Sequence, residues 1–278
     1  WQQRIYVFDL QCFHMVEIGP GTTAQDVLNC LAQQGHLAEW AGIGGWMLFE
    51  ICQDLNMERP VRGFELVPDV LKSWDKERMN NALLARKTPF VNVLHPSAIP
   101  SSSPRRAGYV EYEVKRGSWK KRWLELREQG LFLAKKETGK DEVFLCSVSN
   151  FDAYSVARPG KSKLFVFAVK STDNITFFEN KNDYMHVFAV GETDGKQWIE
   201  KVMLARSYII NQERNVIHST PQGSAAGIVA SGAKALMRSG TRKGARPAQP
   251  LLDVSAPAAP VYSPPMHVFE PGSLLATR

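Results

Sequence analysis

Apolar and polar residues at the start of the chain follow patterns that predict a small sheet with one packed helix. Residues 5–8 and 12–16 are two β-prone runs separated by a short polar break, as in a hairpin. Apolar residues then recur at i, i+3, i+4 and i+7 after Thr22 and Thr23. This spacing predicts a helix that one of the two threonines caps and that Gly35 ends.

Three further elements complete this first unit. Residues 46–51 predict a third strand, Pro68 is placed to begin a short helix, and residues 90–94 predict a closing strand. The order β-β-α-β, followed by helix and strand pieces, is typical of a ubiquitin-like roll. We therefore predict one domain over residues 1–94, and a linker over the Pro- and Ser-rich residues 95–104.

The pattern changes after Gly108 to short strands with turn residues between them. The predicted strands are 109–114, 120–127, 131–135, 143–148, 151–156, 164–169 and 185–190. A helix beginning at Thr193 or Asp194 follows, with Trp198 in its apolar stripe. These elements predict an α+β chain whose second domain, residues 105–215, is a seven-stranded barrel closed at one end by a helix.

The last part of the chain, residues 216–278, is rich in Pro, Ala, Ser and Gly. Such a composition buries too little apolar surface to offset about 1–2 kcal/mol of backbone ordering entropy per residue. We therefore predict a disordered tail.

Charge is divided unevenly along the chain, whose net value is +6. Residues 1–87 carry a net −3, residues 105–215 a net +5, and residues 216–278 a net +4. The basic character therefore belongs to the second half, and the two predicted domains are expected to bind different partners.

Strand alternation places part of this positive charge at one end of the predicted barrel. Leu124 and Leu126 share a parity and are expected to fill the interior. Lys120 and Arg122 have the same parity, so their side chains are expected to point along the inner face toward the open mouth. Buried there, they would require an anion.

Other basic residues are expected at the same rim. Lys115 ends the first barrel strand, Arg116 lies in the turn that follows, and Lys135 and Lys136 follow the third strand. Lysine and arginine donors that converge from two strands bind a compact polyanion such as an inositol phosphate. Trp119, beside the turn, is expected to enter the membrane interface.

Composition and motifs exclude several other classes of protein. No apolar run approaches the roughly 20 residues of a membrane span, and the start at Trp1 lacks a secretion signal and predicts a fragment. The four cysteines form no CxxC pair, which favours reduced thiols in a cytoplasmic protein. Motifs for a P-loop, HExxH or GxSxG are absent from the sequence. We expect no enzyme activity, no cofactor and no metal.

The first unit resembles the Ras-association (RA) domains of lamellipodin-type and growth-factor-receptor-bound adaptors. Residues 23–28, 46–51, 58–67 and 70–74 carry the resemblance. It implies that the second strand pairs with a GTP-loaded small GTPase, with basic side chains meeting the acidic switch region. The corresponding positions here are Arg4, His14 and Gln25. His14 replaces an expected lysine and Gln25 a basic helix residue, so a domain that packs or binds something else remains the alternative.

The second unit resembles pleckstrin-homology (PH) domains. Residues 108–110, residues 119–126 and Trp198 carry this resemblance. Members of that family that bind phosphoinositides use a basic residue at the end of the first strand and a basic-x-Arg on the second. Lys115, Lys120 and Arg122 match that spacing, so the resemblance implies a phosphoinositide site at these positions.

Together these features predict a non-enzymatic signalling adaptor, cytoplasmic and peripheral at membranes. The expected partners are a phosphoinositide-containing membrane and a Ras-like small GTPase, and no nucleic acid. Two weak contacts on one chain would reinforce each other through effective concentration. Two alternatives stay open. In the first, the chain is a protein scaffold without lipid selectivity, and in the second, it is the membrane-targeting part of a larger GTPase regulator.

Overall fold

The computed structural model describes residues 1–38, 42–74, 80–157 and 164–219. The first domain, called the roll below, comprises the elements up to residue 94. These are β1 Gln2–Val7, β2 Phe13–Glu17, α1 Ala24–Gln33, β3 Gly45–Cys52, β4 Met57–Val61, α2 Val67–Lys72, β5 Asn81–Thr88 and α3 Phe90–Val93.

Helix α1 begins where the sequence predicts, at an N-cap built from two side chains. The Asp26 backbone N–H donates to Thr23 Oγ1 at 3.2 Å, and the Thr23 N–H donates to Asp26 Oδ2 at 2.9 Å. This reciprocal pair satisfies two of the free donors at the helix start. Val27 and Leu31 are then buried against the sheet, together with Leu28.

The closing strand differs from the prediction. Residues 90–94, predicted as a strand, contain the short helix α3, and the chain closes the sheet with β5 instead. Strand β5 lies between β1, to which it is parallel, and β3, to which it is antiparallel. Pro89 explains where the strand stops, because proline has no N–H to donate to a sheet ladder.

The second domain, called the barrel below, has the predicted seven strands and terminal helix. Its elements are β6 Arg106–Lys115, β7 Ser118–Arg127, β8 Gly130–Ala134, β9 Val143–Ser147, β10 Phe151–Val156, β11 Phe165–Ser171, β12 Met185–Val190 and α4 Glu192–Ser219. Trp198, Val202 and Ile209 of α4 are buried on the barrel, as the apolar stripe predicts.

Helix α4 continues to Ser219, past the predicted start of the tail at residue 216. The rest of the predicted tail lies outside the described residues. The predicted linker contains a short 3-10 turn at Pro96–Ala98.

The roll and the barrel share one sheet. Strand β4 of the roll pairs antiparallel with β10 of the barrel through Glu58 opposite Ser155 and Met57 opposite Val156. The twelve strands of the described residues therefore run in the order β2-β1-β5-β3-β4-β10-β11-β12-β6-β7-β8-β9. Met57 and Tyr154 belong to a buried apolar cluster that spans this junction.

A buried network of charged groups lies beside the shared strands. Arg59 contacts Glu50 at 2.7 Å, Glu65 at 3.0 Å and Asp152 at 3.3 Å. Arg62 contacts Glu65 at 2.8 Å and Asp152 at 2.7 Å. Asp152 is in the barrel and the other four residues are in the roll. Because unpaired buried charges are costly, this network favours one relative orientation of the two domains.

Candidate functional site

The β6–β7 hairpin places basic side chains on the inner face of the barrel. Residues that lie opposite each other in an antiparallel pair share a face of the sheet. Arg122 is opposite Val110, which is only 2% exposed, and Lys120 is opposite Tyr112. The Tyr112 ring packs against Phe188 of the interior, 5.4 Å between centroids. The register therefore gives Lys120 and Arg122 the orientation that strand alternation predicts.

A β-bulge brings Lys115 to the same face. Glu113 lies opposite Trp119, but Lys115 lies opposite Ser118, so one residue of β6, Val114, has no partner in the ladder. Regular alternation would have put Lys115 on the face of Glu113, and a one-residue shift reverses the face. Lys115 therefore shares the inner face with the two basic residues of β7.

These cations are not neutralised by the protein's own carboxylates. Lys115, Arg116 and Lys120 are exposed, and within the described ranges no ion pair involves them. Arg122 is half-buried, and its Nη1 donates to the carbonyl oxygen of Lys121 at 3.0 Å. The side chain of Lys121 itself lies on the opposite face of β7, by strand alternation. The mouth thus presents unpaired positive charge to solvent.

The connection between β8 and β9 adds two lysines at the rim. Lys135 and Lys136 are exposed and follow Ala134, which pairs with Trp123 of β7. Lys135 Nζ lies 3.3 Å from Asp141 Oδ2. A pair this exposed contributes little and competes weakly with a ligand. The structure therefore brings the β8–β9 connection, with its two lysines, next to Lys120 and Arg122 of β7.

A polar pair that the sequence analysis did not identify lies inside the mouth. The Tyr112 hydroxyl is 3.2 Å from Nδ1 of His186, which is 5% exposed. Burial lowers the pKa of His186 and raises the pKa of Tyr112, so both are neutral at neutral pH. The positive charge of the mouth therefore comes from lysine and arginine. In the sequence, the two-residue spacing between Val110 and Tyr112 is the feature that would have indicated that both side chains face the barrel interior.

Trp119 does not share the face of these cations. It lies opposite Glu113, is half-buried, and packs against the junction cluster that contains Met57 and Tyr154. This packing gives the indole a structural role. Its contact with a membrane stays a prediction.

In the roll, the sheet separates two of the three residues assigned to GTPase contact. Strand β2 is at the edge of the sheet, where Met15 lies opposite Arg4 and His14 lies opposite the buried Ile5. Arg4 is therefore on the outer face, with its guanidinium 5.1 Å from the centroid of the Phe13 ring. His14 is on the inner face, so the two side chains do not form one basic patch.

The other contacts of these residues are local. His14 stacks on His36 with ring centroids 3.5 Å apart and planes 13° apart. Burial and the neighbouring His36 both lower the pKa of His14, which is therefore neutral at neutral pH. Gln25 donates through Nε2 to Asn29 Oδ1 at 3.0 Å within α1. The arrangement supplies neither of the two cations expected from the RA resemblance.

The described part of the chain contains neither a helix long and apolar enough to span a membrane nor a group of three or more side chains suited to a metal.

Comparison with known proteins supports the predicted fold class and the RA resemblance. Residues 4–90 match the family model described as an RA like domain. Growth factor receptor-bound protein 14 of Mus musculus is 26% identical over 170 residues, which cover 51% of this chain and 31% of the relative. The same protein of Rattus norvegicus is 27% identical over 170 residues, with the same coverage. The matched region thus spans about a third of the length of these curated relatives.

A solved structure matches both domains together. The crystal structure of the coiled-coil, RA and PH domains of lamellipodin superposes with a TM-score of 0.56 at 17% identity. The match covers 78% of this chain and 92% of that chain. At this identity the match shows the fold, and it confirms the roll followed by the barrel. The chain therefore contains an RA–PH module, an RA-like domain at residues 4–90 followed by a PH fold.

Proposed function

We propose that this chain is a non-enzymatic signalling adaptor that binds anionic phosphoinositide membranes through the mouth of its barrel. One observation carries the proposal. Lys115, Lys120 and Arg122 lie on one inner face without a carboxylate partner among the described residues. Cations gathered at a concave opening attract a compact anion, and a phosphorylated inositol ring matches donors that converge from two strands.

The surrounding charge favours a membrane over a free anion alone. Arg116, Lys135 and Lys136 extend the positive rim outward, where each cation near an anionic leaflet contributes about 1 kcal/mol. This contribution falls as salt screens the surface. The proposed location is accordingly cytoplasmic and peripheral at membranes.

Two neighbouring lysines provide a matched test. Lys120 and Lys121 are adjacent and carry the same charge, but only Lys120 lies on the face of Tyr112. In sedimentation with liposomes containing phosphoinositides, Lys120→Ala should weaken binding about tenfold, the equivalent of about 1.4 kcal/mol, while Lys121→Ala has a small effect. Lys120→Ala combined with Arg122→Ala should abolish sedimentation, and binding by the unaltered chain should weaken as salt is raised.

Equal effects of the two single substitutions would mean that net charge, and not the mouth, drives binding. Sedimentation that survives the double substitution would favour the protein scaffold as the function. Persistence of binding on vesicles without phosphoinositides would favour general attraction to anionic lipid over recognition of the headgroup.

A Ras-like small GTPase is the second partner that we propose, because β2 is an open edge. Strand β2 pairs with β1 on one side only among the described strands, so its other edge is available to a strand of a partner. Titration of the whole chain with GTP-loaded and GDP-loaded Ras-like proteins tests this proposal. An effector prefers the GTP form, and equal or absent binding would contradict the assignment.

The two proposed contacts would cooperate because the roll and the barrel share a sheet. A chain held at a membrane by the barrel presents β2 at a raised effective concentration to a membrane-bound GTPase. The same arrangement also suits the membrane-targeting part of a larger GTPase regulator, which is the alternative for the whole protein.

A further inference from the structure

A second concavity, separate from the mouth, lies between the roll and α4. Its volume is about 630 Å³, within the range of sites for small ligands and short peptide segments. Phe64 and Val70 of the roll, Phe177 of the connection between β11 and β12, and Ile210 and Arg206 of α4 line it. None of the basic residues of the mouth takes part.

Arg206 differs from the two buried arginines of the junction. Arg59 and Arg62 each contact carboxylates, which raise the pKa of both groups although burial opposes this. Among the described residues, Arg206 makes one long hydrogen bond, from Nη1 to the carbonyl oxygen of Val148 at 3.4 Å, and burial lowers its pKa. Within the described ranges it forms no ion pair. Its guanidinium therefore keeps N–H donors available for a ligand.

An exposed aromatic ring is held at the rim of the cavity. Phe177 is 78% exposed and ends the 3-10 turn Ile175–Phe177. Asn174 caps this turn by accepting the Thr176 N–H at 3.0 Å, and its Nδ2 donates to the carbonyl oxygen of Trp74 in the roll at 3.3 Å. The ring is thus presented to solvent by a turn that is tied to the neighbouring domain. A single exposed apolar side chain would need no explanation, but Phe177 lines the cavity together with the apolar Phe64, Val70 and Ile210.

The charges around the cavity select the kind of anion. Glu65 and Arg59 line it as a pair, and the other charged lining residues besides Arg206 are Asp69, Asp173, Glu213, Lys72 and Arg214. The carboxylates of Asp69, Asp173 and Glu213 repel a multiply charged phosphate ligand more strongly than they repel a ligand with one carboxylate. The reason is that the repulsion grows with the charge of the ligand. A guanidinium forms its strongest planar pairs with a carboxylate or a phosphate. The balance here favours the singly charged group.

We propose that this cavity binds a linear segment of a partner protein, which presents one carboxylate to Arg206 and a neighbouring large apolar side chain to Phe177 and Ile210. The site is separate from the mouth and from the β2 edge. It would let the module hold a protein while both of those surfaces remain free.

Two capped glycine peptides test the proposal, one with a central leucine–aspartate pair and one with leucine–asparagine. They differ only in the charge of one group. In an NMR titration of the whole chain, the aspartate peptide should shift the resonances of Arg206, Ile210 and Phe177 at low millimolar concentration. The asparagine peptide should bind about tenfold more weakly. Arg206→Met should remove this difference, whereas Lys196→Met, on an exposed turn of the same helix, should leave it unchanged.

Arg206→Lys keeps the charge but loses the planar pair of donors, and should bind with intermediate affinity. This variant serves if Arg206→Met fails to fold. Equal binding of the two peptides, an unchanged difference in Arg206→Met, or absence of shifts in the cavity would overturn the proposal. Inositol hexakisphosphate should shift the β6–β7 hairpin instead. If its effect lay in the cavity and depended on Arg206, the carboxylate assignment would be wrong.

Discussion

Arg62 Nη1 donates to Asp152 Oδ2 at 2.7 Å across the boundary between the roll and the barrel. The same guanidinium donates through Nε to Ser207 Oγ and through Nη2 to the carbonyl oxygen of Met203, both at 2.6 Å. One side chain of the roll, 0% exposed, therefore contacts both β10 and α4 of the barrel. These contacts replace the water that a separate roll would place around Arg62.

Removing one partner from this network should destabilise the whole chain. Asp152→Ala leaves Arg62 buried without its closest carboxylate, which should cost about 3–5 kcal/mol of the free energy of unfolding. Because both domains share a sheet, the unaltered chain should unfold in one transition. Urea denaturation followed by circular dichroism, together with calorimetry, measures both quantities.

Lys196→Ala is the control for this measurement. Lys196 forms an exposed pair with Glu192 on α4, and its loss should change the free energy of unfolding little. Two separate transitions in the unaltered chain, or a similar small loss for Asp152→Ala, would show that the junction does not couple the domains.

Glu65 should make stability depend on acid pH. Burial alone would raise its pKa, but Arg59 and Arg62 outweigh burial and lower the pKa from 4.5 to about 2. A carboxyl group whose pKa is lower in the folded state than in the unfolded state stabilises the folded state at pH values above the unfolded-state pKa. This stabilisation is lost as the pH falls through the folded-state pKa. Stability should therefore fall between about pH 4.5 and pH 2.

Glu65→Gln should reduce this loss, because its amide does not titrate. The measurement is urea denaturation of both chains across the acid range, and the difference between the two curves isolates Glu65. Glu50, whose pKa is also lowered by Arg59 against the effect of burial, should retain its own contribution. Parallel curves for the two chains would contradict the role given to Glu65.

Local patterns predicted most of the barrel and the first helix. The capping pair of Thr23 and Asp26 and the apolar spacing after it are encoded within a few residues, so α1 follows from the sequence. Strand alternation likewise placed Lys120 and Arg122, because Leu124 fixes the parity. In contrast, β4 contains Pro60 and the predicted closing strand lies beyond Pro89, so local propensity misplaced the end of the roll.

Long-range contacts account for what the sequence did not reveal. Arg59 and Arg62 lie in a segment that supported the RA resemblance, but their partner Asp152 is about ninety residues away. The bulge at Val114 depends on the register with β7, and the pairing of Tyr112 with His186 depends on barrel closure. These features require tertiary structure that no periodicity encodes.

Removing His36 should raise the pKa of His14. Burial is the larger cause of the lowered pKa, and the stacked His36 ring is the second cause. His36→Gln removes the second cause only, so the pKa of His14 should move toward 6.5 without reaching it. Titration of the imidazole resonances by NMR measures this change, with His95→Gln as a distant control. An unchanged or lower pKa in His36→Gln would contradict the coupling.

Tyr112→Phe should separate the stability of the mouth from its charge. The substitution leaves Nδ1 of the buried His186 without the hydroxyl at 3.2 Å, which should cost about 1–3 kcal/mol of the free energy of unfolding. It changes none of the lysine or arginine side chains, so sedimentation with phosphoinositide liposomes should persist. Lys120→Ala with Arg122→Ala should do the reverse, losing sedimentation while the unfolding free energy changes little.

Adding His186→Phe to Tyr112→Phe should recover part of the lost stability, because both polar partners are then apolar. If Tyr112→Phe lost sedimentation while remaining folded, its hydroxyl would be part of the lipid contact instead of a support for His186.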